Sequence, residues 1–189
     1  SDFFGKNNPI VIEMGCGKGE YTVDLSSKYP QRNFIGIDKK GARMWRGAKT
    51  SNEENSANVA FVRARAENIC KIFGPEEINE IWITFPEPQP NSPRHRKRFT
   101  SPEFIARYRQ ILKPGGMIHL KKVIDMFFIF TMEVIQEVDL TLLFHIDDLY
   151  ANPGNPEVKD VVDVQTHYEK IWLEQGLTIK YLRFRLKEV

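Results

Sequence analysis

The chain has 189 residues, of which 41% are hydrophobic and 28% are charged, and its formal net charge is +2. These values are typical of one globular domain with a sizeable core, and they exclude a disordered chain. The longest apolar run, Met126 to Phe130, is too short to span a bilayer, so we expect no membrane partner.

The cysteines and the chain start bear on the compartment. Cys16 and Cys70 offer no disulfide framework, and no secretory signal pattern opens the chain, so we expect a cytoplasmic protein. The chain begins at a serine, from which we expect that an N-terminal segment is missing. No histidine has metal-ligand spacing with acids or cysteines, so we expect no metal site. Without a repeat or composition boundary, residues 1–189 are predicted to form a single domain.

The first elements in chain order are an apolar strand, Ile10 to Ile12, the acid Glu13, and a turn with glycine at every second position from Gly15 to Gly19. A helix follows at Glu20. Strand, glycine turn and helix are how a doubly wound sheet builds a nucleotide site. The spacing Gly-x-Gly-x-Gly differs from the dinucleotide fingerprint, and the preceding carboxylate would repel a pyrophosphate but suit a ligand with a cationic end. The alternative is an ordinary strand-to-helix turn.

Strands and helices alternate along the rest of the chain. The predicted strands are 10–12, 33–38, 58–63, 81–85, 117–123, 140–146 and 177–186. The predicted helices are 20–29, 41–52, a short helix ending at 73, one that opens after the N-cap Ser101 and closes at 113–116, then 127–138 and 161–175. This order predicts an α/β fold with one doubly wound, seven-stranded, mostly parallel sheet and helices on both faces.

Two acids end strands on the side where ligands bind such sheets. Asp38 ends the second strand, where an acid usually holds ribose hydroxyls; the alternative is a cap for the helix that begins at Gly41. Glu87 follows the fourth strand between two prolines, which stiffen its presentation. The basic run from Arg94 to Arg98 is then placed to hold a large polyanion, unless it is a solvated loop.

Three motifs together resemble the tRNA (guanine-N7-)-methyltransferases. Glu13 to Gly19 matches the family's Glu-x-Gly-Cys-Gly-x-Gly. Pro86 to Gln89 with Arg94 to Arg98 is similar to its Pro-Asp-Pro-Trp and following Arg-His-x-Lys-Arg. Thr166 to Glu169 is similar to its Thr-x-Phe-Glu. The resemblance covers the chain from Pro9 onward and implies a Rossmann-like class I methyltransferase.

The resemblance implies methyl transfer from S-adenosylmethionine to N7 of the variable-loop guanine of tRNA, with S-adenosylhomocysteine as product. Glu87 would take the role of the family's catalytic aspartate. The cofactor would be bound by Glu13, Gly15, Cys16, Gly17, Gly19, Asp38, Lys39, Arg65, Ala66 and Glu67. The tRNA would be bound by Asn91, Arg94, Lys97, Arg98, Asp125, Thr166, Tyr168 and Glu169. We expect a monomer or a weak homodimer.

The chain departs from the family pattern at three positions. Glu87 replaces aspartate, Gln89 replaces tryptophan, and Val123 stands where the fifth strand of the family ends in an aspartate. Asp125, two residues on, either substitutes for that aspartate or caps the next helix. An alternative function is therefore an RNA-binding relative that binds cofactor and tRNA without turnover. A small-molecule methyltransferase would explain the glycine turn but not the basic run.

Overall fold

Seven strands form one sheet in the part of the chain that the structure describes. The structure is a computed structural model that describes residues 3–5, 7–87, 89, 92–123 and 125–187, with the backbone alone for residues 92–94. Strands β1 to β7 span, in chain order, Ile10–Met14, Asn33–Asp38, Val59–Arg63, Ile78–Thr84, Leu112–Lys122, Leu140–Ile146 and Lys180–Leu186.

The strand order across the sheet is β3-β2-β1-β4-β5-β7-β6. Strands β1 to β5 run parallel, and β7 runs antiparallel to both of its neighbours. This arrangement confirms the predicted doubly wound sheet. The order reverses between β1 and β4, which is the point where such sheets bind ligands at the carboxyl ends of their strands.

Helices connect the strands. Helices α1 to α6 span Glu20–Lys28, Gly41–Glu53, Pro102–Ile111, Asp125–Glu137, Lys159–Val162 and His167–Glu174, and two 3₁₀ helices span Ala66–Lys71 and Ser92–Lys97. Ser101 caps α3 as predicted, because its hydroxyl accepts from the N–H of Phe104 at 3.3 Å. Among the described residues, no helix has the length and apolar character that a membrane crossing requires.

Alternate residues of the strands face two cores, as the period of a strand requires. In β1, Ile10, Ile12 and Met14 pack on the side covered by α3 and α4, whereas Val11 packs on the side covered by α1 and α5. Burial on both faces explains why β1 is apolar almost throughout.

The predicted helix 161–175 is wrong: the segment forms two helices, α5 and α6, and the second begins after Thr166. The Thr166 hydroxyl accepts from the N–H of Glu169 at 3.1 Å, and the Glu169 carboxylate accepts from the N–H of Thr166 at 3.2 Å. This capping box starts a new helix. Strand bounds also shift, since β4 and β5 begin three and five residues earlier than predicted, at Ile78 and Leu112, and β7 begins at Lys180.

Candidate active site

The glycine turn between β1 and α1 packs directly against the neighbouring elements. Gly19 has φ +75°, and a Cβ there would lie 2.4 Å from the ring of Phe61, so only glycine fits. Gly17 also has a positive φ, +55°, but a Cβ there would meet no atom within 4 Å. Gly19 therefore packs against the body of the protein, whereas Gly17 borders open space.

Glu13 lies below this turn. It is buried, and the hydroxyls of Thr22 and Thr84 donate hydrogen bonds to its carboxylate. Burial raises the pKa of Glu13 to about 7, and the nearby charge of Asp38 contributes to the increase. Cys16 is buried beside it, and burial raises the pKa of its thiol. Glu13, Cys16 and Gly19 support the turn from within the protein.

A cleft of about 510 Å³ opens above the turn, a volume within the range of small-molecule sites. The residues that line it are Gly15, Gly17, Ile37, Asp38, Lys39, Lys40, Arg43, Ala64, Arg65, Ala66, Glu67, Phe85, Pro86, Glu87, Gln89, Lys97 and Phe99. Seven of the ten predicted cofactor residues are in this lining, and the other three are those that support the turn. The structure also brings Glu87 and Lys97 into the same cleft.

Asp38 joins the glycine turn to the end of β2. Its carboxylate accepts from the N–H of Gly17 at 3.0 Å and from the N–H of Lys40 at 2.8 Å. The N-cap of α2 is Lys40, so the alternative of Asp38 as the helix cap is not what the fold uses. Because a carboxylate offers about four lone-pair sites, Asp38 retains acceptor capacity toward the cleft.

Side chains hold the segment that presents Glu87. Lys122 donates from Nζ to the carbonyl of Pro86, and burial lowers the pKa of Lys122 to about 8. The amide of Gln89 donates to the Glu87 carboxylate at 3.3 Å. Gln89, which stands where the family pattern has tryptophan, therefore orients the carboxylate. The Lys122 contact joins residues that are 36 apart in the chain, so it is not readable from local sequence.

The basic run divides into an exposed and a buried part. Lys97 is exposed and lines the cleft, whereas Arg98 is only 2% exposed. The Arg98 guanidinium lies 4.4 Å from the ring centroid of Phe130 in α4 and donates to the carbonyl of Gln89 at 3.3 Å. Arg98 thus ties the Glu87 segment to α4. Asn91 and the side chain of Arg94 lie outside the described residues.

The remaining predicted substrate residues do not line the cleft. Asp125 begins α4 and pairs with Lys180 at 3.3 Å. Glu169 is fully buried, 2.5 Å from Nζ of Lys121, and accepts from the hydroxyl of Tyr150 at 2.7 Å. Burial lowers the pKa of Lys121, and the charge of Glu169 opposes this. Thr166 and Glu169 therefore build and anchor α6.

Aromatic contacts bring α6 to the rim of the cleft. Trp172 packs against Phe85, a cleft residue, with ring centroids 4.7 Å apart. Tyr168 stacks on Trp172 at 5.9 Å and is 54% exposed. Nζ of Lys18, in the glycine turn, lies 5.7 Å from the Tyr168 ring. Tyr168 is thus a rim residue, next to the turn rather than inside the cleft.

Known proteins are similar to this chain in sequence. Over residues 7–182 the chain matches the model of a family described as "Putative methyltransferase". A tRNA (guanine-N(7)-)-methyltransferase of Christiangramia forsetii is 46% identical over 186 residues, which cover 98% of this chain and 82% of that relative. A protein of the same name from Bacteroides thetaiotaomicron is 45% identical over 99% of this chain and 72% of its own length.

Solved structures are similar in fold. The 16S rRNA methyltransferase KamB superimposes with a TM-score of 0.73 at 14% identity, covering 99% of this chain and 92% of its own. A geranyl diphosphate C-methyltransferase from Streptomyces coelicolor, in complex with S-adenosylhomocysteine, gives a TM-score of 0.59 at 12% identity over 100% of this chain and 77% of its own.

Proposed function

The chain belongs to the tRNA (guanine-N7-)-methyltransferase family, which uses S-adenosylmethionine, and we propose from this premise that it methylates N7 of the variable-loop guanine of tRNA. The observation that carries the proposal is one cleft with two kinds of lining. The glycine turn and Asp38 border one side of it, and Glu87 and Lys97 border the other.

The residues of the cleft fit the cofactor. Gly17 leaves open space next to the backbone, and Asp38 retains acceptor capacity for ribose hydroxyls. Arg65, Ala66 and Glu67 at the end of β3 would lie along the adenine. Glu13 is buried outside the cleft lining, and the hydroxyls of Thr22 and Thr84 bond to its carboxylate, so we assign it to the support of the turn rather than to contact with the cofactor. When bound, the cofactor supplies a methyl group activated by a sulfonium.

The substrate atom needs little activation. Guanine N7 carries a free lone pair, so no base has to deprotonate it. Transfer of the methyl group to N7 would break the carbon–sulfur bond, which would leave the cofactor as a neutral thioether and place the positive charge on the guanine. Holding the reactants in line supplies roughly 7–11 kcal/mol of the barrier in well-oriented reactions.

Glu87 is the residue to which we assign the catalytic role. Its carboxylate can accept hydrogen bonds from the guanine N1–H and amino group and stabilise the positive charge that develops on the base. The Gln89 amide and the Lys122 contact to Pro86 support this role, because they limit the motion of the acid. The role is electrostatic and orienting rather than that of a general base.

The compartment, metal requirement and assembly are part of the proposal. A tRNA substrate and the absence of paired cysteines support a cytoplasmic enzyme. A lone-pair attack on a sulfonium needs no Lewis acid, so we expect full activity in EDTA. We expect a monomer or weak homodimer, which sedimentation over a range of concentrations tests.

The direct test is incubation with S-adenosylmethionine and an unmodified tRNA transcript, followed by nucleoside mass spectrometry for 7-methylguanosine. A transcript with 7-deazaguanosine at the target site is the matched control, because it lacks the accepting nitrogen and should give no product. If the chain binds S-adenosylmethionine and the normal transcript but forms no product, the assignment as an enzyme is refuted and the RNA-binding alternative is favoured.

Glu87→Ala should lower kcat about 100-fold, the effect of removing one preorganised electrostatic group. Its dissociation constant for S-adenosylhomocysteine, measured by calorimetry, should stay within about twofold of wild type, because the cofactor is assigned to the glycine-turn side of the cleft. A tenfold change would correspond to about 1.4 kcal/mol. A large loss of cofactor affinity with unchanged kcat would refute the catalytic role.

A further inference from the structure

A second concave surface lies beside the cofactor cleft, between the glycine turn, α2 and the start of α6. This groove has a volume of about 480 Å³. Its lining residues are Lys18, Glu20, Ala42, Arg43, Arg46 and His167. We infer that the groove is a phosphate-binding track for the tRNA strand that leads into the cleft, an inference that rests on the proposed function.

The fold requires the cations of the groove to be close together. Gly47 of α2 packs on the glycine turn so closely that a Cβ on it would lie 2.7 Å from the carbonyl oxygen of Lys18. Arg43 and Arg46 are three residues apart on α2 and therefore share a helix face. Because α2 is packed against the turn, this face lies beside Lys18 and is exposed with it.

The groove presents a net positive charge, because its acid is partly compensated. Among the described residues that line it, Glu20 is the one acid, and its carboxylate accepts from the N–H of His167, the first residue of α6, at 3.1 Å. A carboxylate at a helix N-terminus is partly compensated by the helix dipole. The three cations Lys18, Arg43 and Arg46 remain exposed to solvent, where a phosphate could reach them.

The groove is continuous with the cleft. Arg43 lines both of them, so a chain that enters the groove passes directly to the cofactor side of the cleft. The exposed ring of Tyr168 stands next to Lys18, a residue of the groove, and a base or ribose could pack on it. A small-molecule substrate would use the cleft alone, whereas a polynucleotide uses both surfaces.

The groove also complements the basic run. Lys97 lines the cleft from the Glu87 side, and Arg43 lines it from the α2 side. Phosphates on both sides of the target guanosine can therefore be bound at once. This second contact is absent from the motif-based assignment, in which all the tRNA cations lie between residues 94 and 98.

The test uses the Lys18→Ala/Arg46→Ala double variant of the full chain, because these two residues line the groove but not the cleft. Its affinity for S-adenosylhomocysteine should equal that of wild type. Its KM for tRNA should rise about tenfold with kcat unchanged, and the slope of log affinity against log salt should fall by about two.

The matched control removes two exposed cations elsewhere. Lys71→Ala/Lys113→Ala changes the net charge equally, and neither residue lines the cleft or the groove. This control should keep the wild-type salt slope. Lys18→Arg/Arg46→Lys should also keep it, because the charges remain.

If wild type forms 7-methylguanosine and the Ala double variant has the same salt dependence of tRNA affinity as the control, the inference that the groove binds tRNA phosphates is refuted. If wild type forms no product but the slope of log tRNA affinity against log salt still falls by about two in the Ala double variant, phosphate binding by the groove is supported and the proposed activity is refuted. The two failures are therefore distinguishable.

Discussion

The two sides of the cleft are held by different kinds of contact. The glycine-turn side, residues 13–19 with Asp38, depends on backbone at its glycines: positive φ angles, close packing of Gly19 on Phe61, and backbone N–H groups bonded to Asp38. Glu13 is the exception, since the hydroxyls of Thr22 and Thr84 bond to it.

The Glu87 side depends on side chains. Nζ of Lys122 in β5 donates to the carbonyl of Pro86, Arg98 donates to the carbonyl of Gln89, and the Gln89 amide donates to the Glu87 carboxylate.

The difference explains where the chain departs from its family pattern. A backbone-held turn accepts no Cβ at its packed positions, and the family's glycine spacing is unchanged here. On the other side a replaced side chain can find a new partner, as the Gln89 amide does on Glu87. The substitutions Glu87, Gln89 and Val123 all lie on that side or directly after β5.

The largest expected effect is on the buried pair below α6. Lys121→Met leaves the Glu169 carboxylate buried without its cation, which should lower the free energy of unfolding by about 3–5 kcal/mol in urea denaturation. The control is Lys121→Met/Glu169→Gln, which removes both charges but can keep the capping contacts. It should recover most of the loss, and equal stabilities of single and double variants would show that the ion pair is unimportant.

The next effect distinguishes two glycines of one turn. Gly19→Ala combines a positive φ with a clash on Phe61 and should cost about 3 kcal/mol of unfolding free energy. Gly17→Ala meets no neighbour and should cost only about 1 kcal/mol, from φ alone. Because Gly17 lines the cleft, its variant should instead lose affinity for S-adenosylhomocysteine. Equal destabilisation by both would contradict the packing difference.

Glu13 makes the glycine-turn side sensitive to pH. Its pKa is raised from 4.5 to about 7, so between these values the folded chain binds more protons than the unfolded chain. This contribution to stability is complete below about pH 4.5 and is lost as pH rises through 7. Glu13→Gln removes it, so the stability of the variant relative to wild type should rise by about 1–3 kcal/mol between pH 5 and 8. A constant difference would mean that Glu13 does not titrate there.

The smallest expected effect tests the new partner of Glu87. Gln89→Met keeps the length of the side chain but removes the donor to the carboxylate. Loss of one exposed hydrogen bond should reduce kcat about three- to fivefold, or roughly 0.5–1 kcal/mol, with affinity for S-adenosylhomocysteine unchanged. An unchanged kcat would indicate that Gln89 only fills the space of the family's tryptophan.

Most of the fold could be predicted because its signals are local. Apolar runs bounded by glycine and proline predicted all seven strands, and Ser101 with Pro102 predicted the start of α3. The helix predicted over 161–175 is wrong even though a local signal marks the true start: Thr166 and Glu169 have capping-box spacing, which favours a helix start rather than a helix interior.

The candidate site was predictable on one side only. The glycine turn and Asp38 follow from residues whose conformation is restricted by their own chemistry, and seven of the predicted cofactor residues line the cleft. On the other side, motif positions did not separate Lys97, which lines the cleft, from Arg98, which is buried on Phe130. Burial depends on what packs against a residue, and the packing partner of Arg98 is in α4.

The sequence by itself determined the sheet, the cofactor class and the position of the acid at the end of β4, because each is encoded within a few neighbouring residues. Only the tertiary structure decided that Lys122 of β5 supports the segment that presents that acid. Lys122 and Pro86 are 36 residues apart in the chain, and Lys28 and Asp163, which join α1 to the segment before α6, are 135 apart. The contact of Lys122 with Pro86, like the groove that Lys18 shares with α2, exists only once parallel strands have brought their carboxyl ends to one edge.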